Sequence, residues 1–182
     1  MDRKDILRSY GTEYREMTKE LLKEADIAAE IREKAENVHP KIGIKPNLVC
    51  PTPAEFGGTT HPEIVAGIIE YLTESGFEAA DIEILEGSWV GDKTEDAFEY
   101  CGFNALSRQY GIKLTDMQKE RDIAEYDCEG MKLNICKHAV ELDYLINVPV
   151  LKGHCQTKIT CALKNMKGLI PNSEKRRFHS LG

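Results

Sequence analysis

The sequence lacks any apolar run long enough to cross a membrane. Its longest apolar stretch, residues 144–151, is interrupted by Asn147 and Pro149, whereas a transmembrane helix needs roughly 18 apolar residues in succession. The first residues are polar and include no apolar segment of the kind that secretory signals contain. We therefore expect a cytoplasmic protein that does not bind a membrane.

The sequence also lacks the usual signatures of nucleotide and metal sites. Residues 57–60 (Gly-Gly-Thr-Thr) precede a predicted helix, but neither the lysine of a P-loop nor the pattern G-x-G-x-x-G is present. No two of the five histidines have the spacing of a helix-borne zinc site, and no two of the six cysteines form a C-x-x-C pair. These absences predict no metal site, leave the cofactor unknown, and favour reduced, buried thiols over disulfides.

The chain of 182 residues is long enough for one main globular unit. Its net charge is −7, but residues 151–182 contain seven basic residues and one acidic residue, a local charge of +6. Few aromatic residues accompany these basic side chains, so a small anionic ligand is a better interpretation than nucleic acid. A solvated, charged chain end is the alternative.

Residues 1–40 are predicted to form an N-terminal helical extension. Apolar residues recur every three or four positions, as on one face of a helix, at Ile6, Tyr10, Tyr14, Met17 and Leu21. Such a face either packs on the core as a lid or forms a dimer surface, so the oligomeric state stays open. The remaining residues, 41–182, are predicted to form an α/β domain, which could lack a further C-terminal portion.

Within this domain, predicted strands alternate with predicted helices. The strands are expected at residues 42–49, 81–86, 112–116, 131–137 and 144–150, and the helices at residues 61–75, 92–102 and 157–168. Such alternation is typical of a mostly parallel sheet, here of about five strands, with helices on both faces. The first and last strands are the most apolar, so we expect them to be neighbours in the middle of the sheet.

Polar residues follow three of these strands, and parallel strands bring their carboxyl ends to one edge of a sheet. The residues that we expect to bind a ligand there are Lys45, Asn47, Thr59, Thr60, His61, Glu86, Lys152 and Thr157, with His154 as an acid or base. Thr157 is also expected to cap the helix at residues 157–168. The free N–H groups at the start of that helix and the lysines would then bind the same oxyanion, a carboxylate or a phosphate.

Four motifs, in the same order, resemble the bacterial and archaeal domain-of-unknown-function 362 family. They are residues 44–49 (IKPNLV), 58–65 (GTTHPEIV), 151–154 (LKGH) and 160–168 (TCALKNMKG). The resemblance covers residues 41–180. Some members of that family carry iron–sulfur cysteine motifs, which this sequence does not contain. Asn165, in the last motif, is included among the ligand-binding candidates.

The family is in turn distantly similar to the N-terminal domain of nickel-dependent lactate racemase. That resemblance implies a role for His154 and Lys164, which have the spacing of the racemase histidine and of the lysine that holds its cofactor. The glycine-rich stretch before the lysine and the second catalytic histidine of the racemase are both replaced in this sequence. We therefore expect the architecture and the site location to be shared, and not the racemase activity.

Two functional hypotheses remain open, and with them whether the protein is an enzyme. In the first, the domain binds a small carboxylate or phosphate through its lysines, and His154 and Lys164 carry acid or base chemistry. In the second, the domain is an accessory iron–sulfur or electron-transfer module whose cluster motifs lie outside this chain.

Overall fold

The computed structural model describes residues 6–155 and 157–180, except for the side chain of residue 179. The α-helices are α1 (Tyr14–Glu24), α2 (Ile27–Lys34), α3 (Pro62–Glu74), α4 (Thr94–Tyr100), α5 (Phe103–Tyr110), α6 (Lys137–Val140), α7 (Ala162–Asn165) and α8 (Asn172–Ser180). Short 3₁₀ helices lie at Ala54–Phe56, Ala79–Asp81 and Met166–Leu169. The strands are β1 (Ile42–Pro46), β2 (Ile82–Glu86), β3 (Lys113–Asp116), β4 (Ile123–Cys128), β5 (Met131–Cys136), β6 (Tyr144–Val148), β7 (Lys152–His154) and β8 (Lys158–Thr160).

A parallel sheet with the strand order β3-β2-β1-β6 forms the centre of the fold. Ile44 of β1 lies opposite Ile84 of β2 on one side and Ile146 of β6 on the other. The predicted pairing of the first strand with residues 144–150 is therefore confirmed. The central position expected for residues 144–150 is wrong, because β6 is an edge strand of this sheet among the described residues. All five residues of β6 are half-buried. The apolar composition of this segment therefore reflects its partial burial and does not show that strands pair with it on both sides.

The fourth predicted strand, at residues 131–137, belongs to a separate hairpin. Residues Met131–Cys136 do form a strand, but it pairs antiparallel with β4, a strand that the sequence pattern does not predict. The two residues between them, Glu129 and Gly130, have positive φ angles of 54° and 85°, the conformation of a tight two-residue hairpin turn. This turn directs β5 back along β4, so the parallel sheet has four strands in the described chain and not five.

The two faces of the sheet are covered differently. On one face, Ile42, Ile44, Ile82 and Ile84 belong to the same buried cluster as apolar residues of α2, α3, α4 and α5. The opposite cluster contains Leu85 and three buried residues from the β3–β4 loop, β5 and the last 3₁₀ helix: Met117, Cys136 and Leu169. The expectation of helices on both faces therefore fits only the first face, because the hairpin and short helical segments cover much of the second.

The N-terminal helices pack on the α/β core rather than standing apart from it. Ala28 and Ile31 of α2 belong to the main buried cluster. Helix α1 crosses α3 at Gly67, where a Cβ atom would lie 2.5 Å from the backbone oxygen of Arg15. The predicted apolar face is correct only in part. Ile6 is 89% exposed, and the helix begins at Tyr14.

The long helix predicted at residues 157–168 is not formed. Residues Lys158–Thr160 pair antiparallel with Lys152–His154 as the β7–β8 hairpin, and the helical part is limited to Ala162–Asn165 and the following 3₁₀ turn. The apolar spacing that suggested one helix is misleading, because Ile159 is 60% exposed and Leu163 is 92% exposed. The structure therefore provides no long helix N-terminus as an anion site here, and Thr157 is not a helix cap.

Among the described residues, no helix combines the length and apolar character that a membrane span requires.

Candidate functional site

A cavity of about 200 Å³ lies beyond the carboxyl ends of β1 and β2, next to the β7–β8 hairpin. Four lysines contribute to its wall: Lys152, Lys164, Lys167 and Lys175. The last 3₁₀ helix supplies Lys167, and α8 supplies Lys175. Six other residues with polar side chains also line it: Asn47, Glu86, Ser88, His154, Thr160 and Asn165. The apolar side chains of Val49 and Trp89 complete part of the wall. The predicted edge of the sheet thus does bring many of the candidate residues together.

A buried ion pair lies beneath this cavity. The Lys45 Nζ atom lies 2.6 Å from Glu86 Oε1, and neither side chain is more than 3% exposed. The Glu86 carboxylate also accepts backbone N–H groups of Leu48 and Gly87, each at 2.7 Å. Burial lowers the pKa of Lys45, and the charge of Glu86 opposes that shift. Lys45 is therefore engaged by Glu86 and is not among the residues that line the cavity.

Two glycines allow this pair to be enclosed so tightly. A Cβ atom on Gly168 would lie 2.4 Å from Glu86 Oε1 and 2.4 Å from Lys45 Cε. A Cβ atom on Gly87 would lie 2.5 Å from the backbone oxygen of Gly168. The glycine that ends the last sequence motif is thus required for close packing over the buried ion pair.

Asn165 ties α7 to the sheet. Its Nδ2 atom lies 3.2 Å from the backbone oxygen atoms of both Lys45 and Pro46, and 2.8 Å from Asn147 Oδ1 of β6. In return, Asn147 donates from its own Nδ2 to the backbone oxygen of Ala162 at 3.0 Å. These contacts make Asn165 a structural bridge as well as a residue of the cavity wall.

Burial affects all four lysines of the cavity. Desolvation lowers the pKa of Lys152, Lys164 and Lys167, and the charge of Lys164 lowers the pKa of the other two further. Burial lowers the pKa of Lys175 to about 8. Lys152 donates a hydrogen bond to the backbone oxygen of Gly58.

Lys175 is a cavity residue that the sequence analysis missed. Its Nζ atom donates to the backbone oxygen atoms of Gly87 at 2.9 Å and Ser88 at 3.0 Å, and the residue is only 5% exposed. Helix α8 positions it, and no helix was predicted there. The residues from Pro171 to Glu174 contain the proline, small polar and acidic types that begin many helices, so a signal for α8 was present. Lys167 also lines the cavity and is not among the predicted site residues, although Lys164 and Asn165 of the same motif are.

Two buried polar atoms of the cavity wall have no partner. Asn47 Oδ1 and Thr160 Oγ1 are shielded from solvent and make no hydrogen bond within the part of the chain that the structure describes. Asn47 is 7% exposed and Thr160 is 5% exposed. Buried polar atoms are almost always satisfied in native proteins. A third such atom, Asn172 Oδ1, belongs to a residue that does not line the cavity.

Thr59 and Thr60 instead stabilise the loop that follows β1. Thr59 donates from its hydroxyl to the backbone oxygen of Thr52 at 2.7 Å. The Thr60 hydroxyl accepts the N–H group of Asn47 at 2.7 Å and donates to the backbone oxygen of Val148 at 2.8 Å. Neither threonine lines the cavity, so these two predicted binding residues hold the loop in place and do not form the cavity wall.

The three remaining candidates divide between the cavity and its surroundings. His61 begins α3, where its Nδ1 atom accepts the N–H group of Glu63 at 3.2 Å, and it does not line the cavity. His154 does line the cavity, and its Nδ1 atom accepts the N–H group of Thr157 at 3.2 Å. Thr157 lies in the exposed turn of the hairpin.

Among the described residues, no group of three or more His, Cys, Asp or Glu side chains is placed to hold a metal ion.

Comparison with known proteins places this chain within a family. The family model "Domain of unknown function (DUF362)" matches residues 42–182. A curated protein of Synechocystis sp., described as thylakoid-associated, is 26% identical over 139 residues, which cover 76% of this chain. The matched region is 42% of that protein's length, so the chain spans less than half of this relative.

Proposed function

The chain belongs to the DUF362 family, and we propose that it binds a small anionic ligand, a carboxylate or a phosphate, in the lysine-lined cavity. The observation that supports this most directly is the composition of the wall. Four lysines line this space together with Thr160, whose hydroxyl can donate a hydrogen bond and has no partner among the described residues. An oxyanion would accept hydrogen bonds from ammonium groups and from the Thr160 hydroxyl.

The charge of the wall is opposite to that of the chain. The protein has a net charge of −7, yet the cavity contains one carboxylate, Glu86, and Lys45 neutralises it at 2.6 Å. The four lysines of the wall are therefore not matched by carboxylates of the cavity itself. Charge-assisted hydrogen bonds in a half-buried site contribute about 1.5–3 kcal/mol each, so a few such contacts suffice for specific binding.

His154 and Lys164 are the groups that we propose for acid or base chemistry on this ligand. Because Nδ1 of His154 accepts an N–H group, the neutral ring carries its proton on Nε2 and can donate it. Burial lowers the pKa of Lys164, which increases the fraction of neutral, nucleophilic amine at a given pH. Both side chains line the same cavity.

Isothermal titration of the protein with orthophosphate, sulfate and acetate tests the binding proposal. We expect at least one of these anions to bind in the millimolar range or tighter. Lys152→Met should weaken that binding by about tenfold or more, because it removes one charge-assisted contact. Lys158→Met is the matched control, because Lys158 is an exposed lysine of the same hairpin that does not line the cavity. No binding of any of the three anions, or equal losses in both variants, would refute the proposal.

A further inference from the structure

We propose that the ligand of this cavity carries a planar ring next to its anionic group, as an aromatic carboxylate or an aryl phosphate does, and that Trp89 binds this ring. The inference rests on the anion site proposed above and specifies the class of its ligand. It comes from the position of Trp89, which lines the cavity together with the four lysines. This residue is the one tryptophan of the sequence.

The backbone of Trp89 is firmly held, although the residue is 51% exposed. Its N–H group donates to the backbone oxygen of Val49 at 3.0 Å, which continues the contact between β1 and β2 beyond the strand ends. Its backbone oxygen accepts the N–H group of Asp92 at 3.0 Å and the side-chain amide of Gln118 at 3.3 Å. The exposed indole ring is therefore attached to a fixed part of the cavity wall.

Gly91 supports one side of the indole ring. A Cβ atom on Gly91 would lie 1.6 Å from Trp89 Cζ3, 2.3 Å from Cε3 and 2.4 Å from Cη2. All three atoms belong to the six-membered ring, so this ring packs directly against the glycine backbone, where a side chain would displace it. The ring is covered on that side and open elsewhere. Aromatic rings pair favourably with other rings, either offset and stacked or edge to face, so a planar ring is the ligand group that suits this surface.

Positive charge and the aromatic ring lie close together in this cavity. The Lys175 Nζ atom donates to the backbone oxygen of Ser88, the residue before Trp89, at 3.0 Å. The cavity volume of about 200 Å³ is several times the ~30 Å³ that one water molecule occupies in the liquid, so there is room for more than one small oxyanion. Such an ion alone would leave the Trp89 ring in water, whereas a ring attached to it would cover the indole.

Calorimetric titrations that compare ions with and without a ring test this inference. We would titrate the protein with benzoate against acetate, and with phenyl phosphate against orthophosphate, at one pH and constant ionic strength. At least one ring-bearing ion should bind about tenfold or more tightly than its counterpart. A preference within the carboxylate pair alone assigns a carboxylate ligand, and a preference within the phosphate pair alone assigns a phosphate ligand.

Cyclohexanecarboxylate separates the effect of a planar ring from that of apolar size, because it has as many carbon atoms as benzoate but no planar ring. It should bind several-fold more weakly than benzoate. Because Trp89 is the one tryptophan of the sequence, its fluorescence reports directly on the proposed contact. A ring-bearing ion that binds without changing this emission would overturn the proposal, as would equal affinity for benzoate and cyclohexanecarboxylate.

Variants then locate the contact. Trp89→Leu should weaken binding of the ring-bearing ion by about tenfold and leave binding of the ringless ion nearly unchanged, whereas Trp89→Phe should retain most of the affinity. Phe56→Leu is the matched control, because Phe56 is a 78% exposed aromatic residue that does not line the cavity. Equal losses in Trp89→Leu and Phe56→Leu would show that Trp89 does not bind the ring.

Failure of the ring inference can be told apart from failure of the anion site. If acetate or orthophosphate binds but neither ring-bearing ion binds more tightly, the ring inference is wrong and the anion site stands. If none of these ions binds, the anion site itself is wrong.

Discussion

At the scale of single residues, burial decides what each lysine of this protein does. Lys45 is fully buried and paired with Glu86, Lys175 is nearly as buried but bonded to carbonyl groups, and Lys158 is exposed. The same residue type therefore serves as the partner of a buried carboxylate, as part of a cavity wall, or as a solvated surface charge. Substitutions at these positions should have correspondingly different effects.

Lys45→Met should destabilise the fold strongly. The substitution leaves the Glu86 carboxylate buried without its partner, which typically costs about 3–5 kcal/mol of unfolding free energy. Urea denaturation measures this loss. In the double variant Lys45→Met/Glu86→Gln, part of the stability should return, because the uncompensated charge is gone. The control is Lys113→Met, which breaks a 3.5 Å pair between Glu83 and a 64% exposed lysine and should cost under about 1 kcal/mol. Equal losses in both single variants would contradict this account.

Lys175 should make stability depend on alkaline pH. Its pKa is about 8 in the folded protein, against an ordinary value of 10.5. Between these values the unfolded chain binds more protons than the folded chain, so the free energy of unfolding rises with pH across this window. The gain is about 3 kcal/mol in total, and it is absent below pH 8, where the folded protein must hold a desolvated ammonium.

Urea denaturation of wild type and Lys175→Met between pH 7 and 10.5 isolates this contribution. Groups that do not interact with Lys175 contribute equally to both proteins, so their effects cancel in the difference. Wild type should gain stability relative to the variant as the pH rises, whereas Lys158→Met should follow wild type in parallel. A constant difference between wild type and Lys175→Met would show that the lysine has an ordinary pKa.

At the scale of elements, the contact between α1 and α3 depends on one small residue. Arg15 of α1 forms ion pairs with Glu63 at 2.7 Å and Glu70 at 3.1 Å, both on α3. These pairs require the helices to approach closely at Gly67, where a Cβ atom would lie 2.9 Å from Thr18 Cβ as well as against the backbone of Arg15.

Gly67→Ala should therefore displace α1 and lower the free energy of unfolding by about 1–3 kcal/mol, the usual range for overpacking. Hydrogen exchange should become faster in α1, because its backbone is held by this contact. Gly153→Ala is the matched control, since a Cβ atom there would have no neighbour within 4 Å. If the two variants are equally stable, α1 does not pack on α3 as described.

The elements that the sequence predicts correctly are those specified by local pattern. The strand predicted at residues 81–86 is observed at Ile82–Glu86, and the helix predicted at residues 61–75 is observed at Pro62–Glu74. The helix at residues 157–168 was wrong because Ile159, Leu163 and Met166 have helical spacing, but two of these three side chains are exposed. Spacing indicates a helix only when a core is present to receive the apolar face.

At the scale of the whole molecule, the sequence predicts where the candidate site lies but only some of the residues that line it. The carboxyl ends of parallel strands follow from the alternation of strands and helices, and this places Asn47, Glu86, Lys152 and His154 around one cavity. Thr59, Thr60 and His61 follow the same strand end, but they stabilise the β1 loop and the start of α3. Chain proximity to a strand end does not determine which side of the loop a side chain occupies.

The sequence by itself determined the α/β class, the pairing of the first strand with residues 144–150, and the edge of the sheet at which charged residues gather. The class depends on hydrophobic periodicity, which is local, and the pairing and the edge follow from general rules for parallel strands, which apply to any such sheet. The tertiary structure alone decided that Lys45 is buried against Glu86 and that Lys175 reaches the cavity from a later helix. It also left three buried polar atoms without partners among the described residues, two of them in residues of the cavity wall. Burial and pairing depend on contacts between residues up to 120 positions apart, such as Lys45 and Asn165, and no local pattern encodes such contacts.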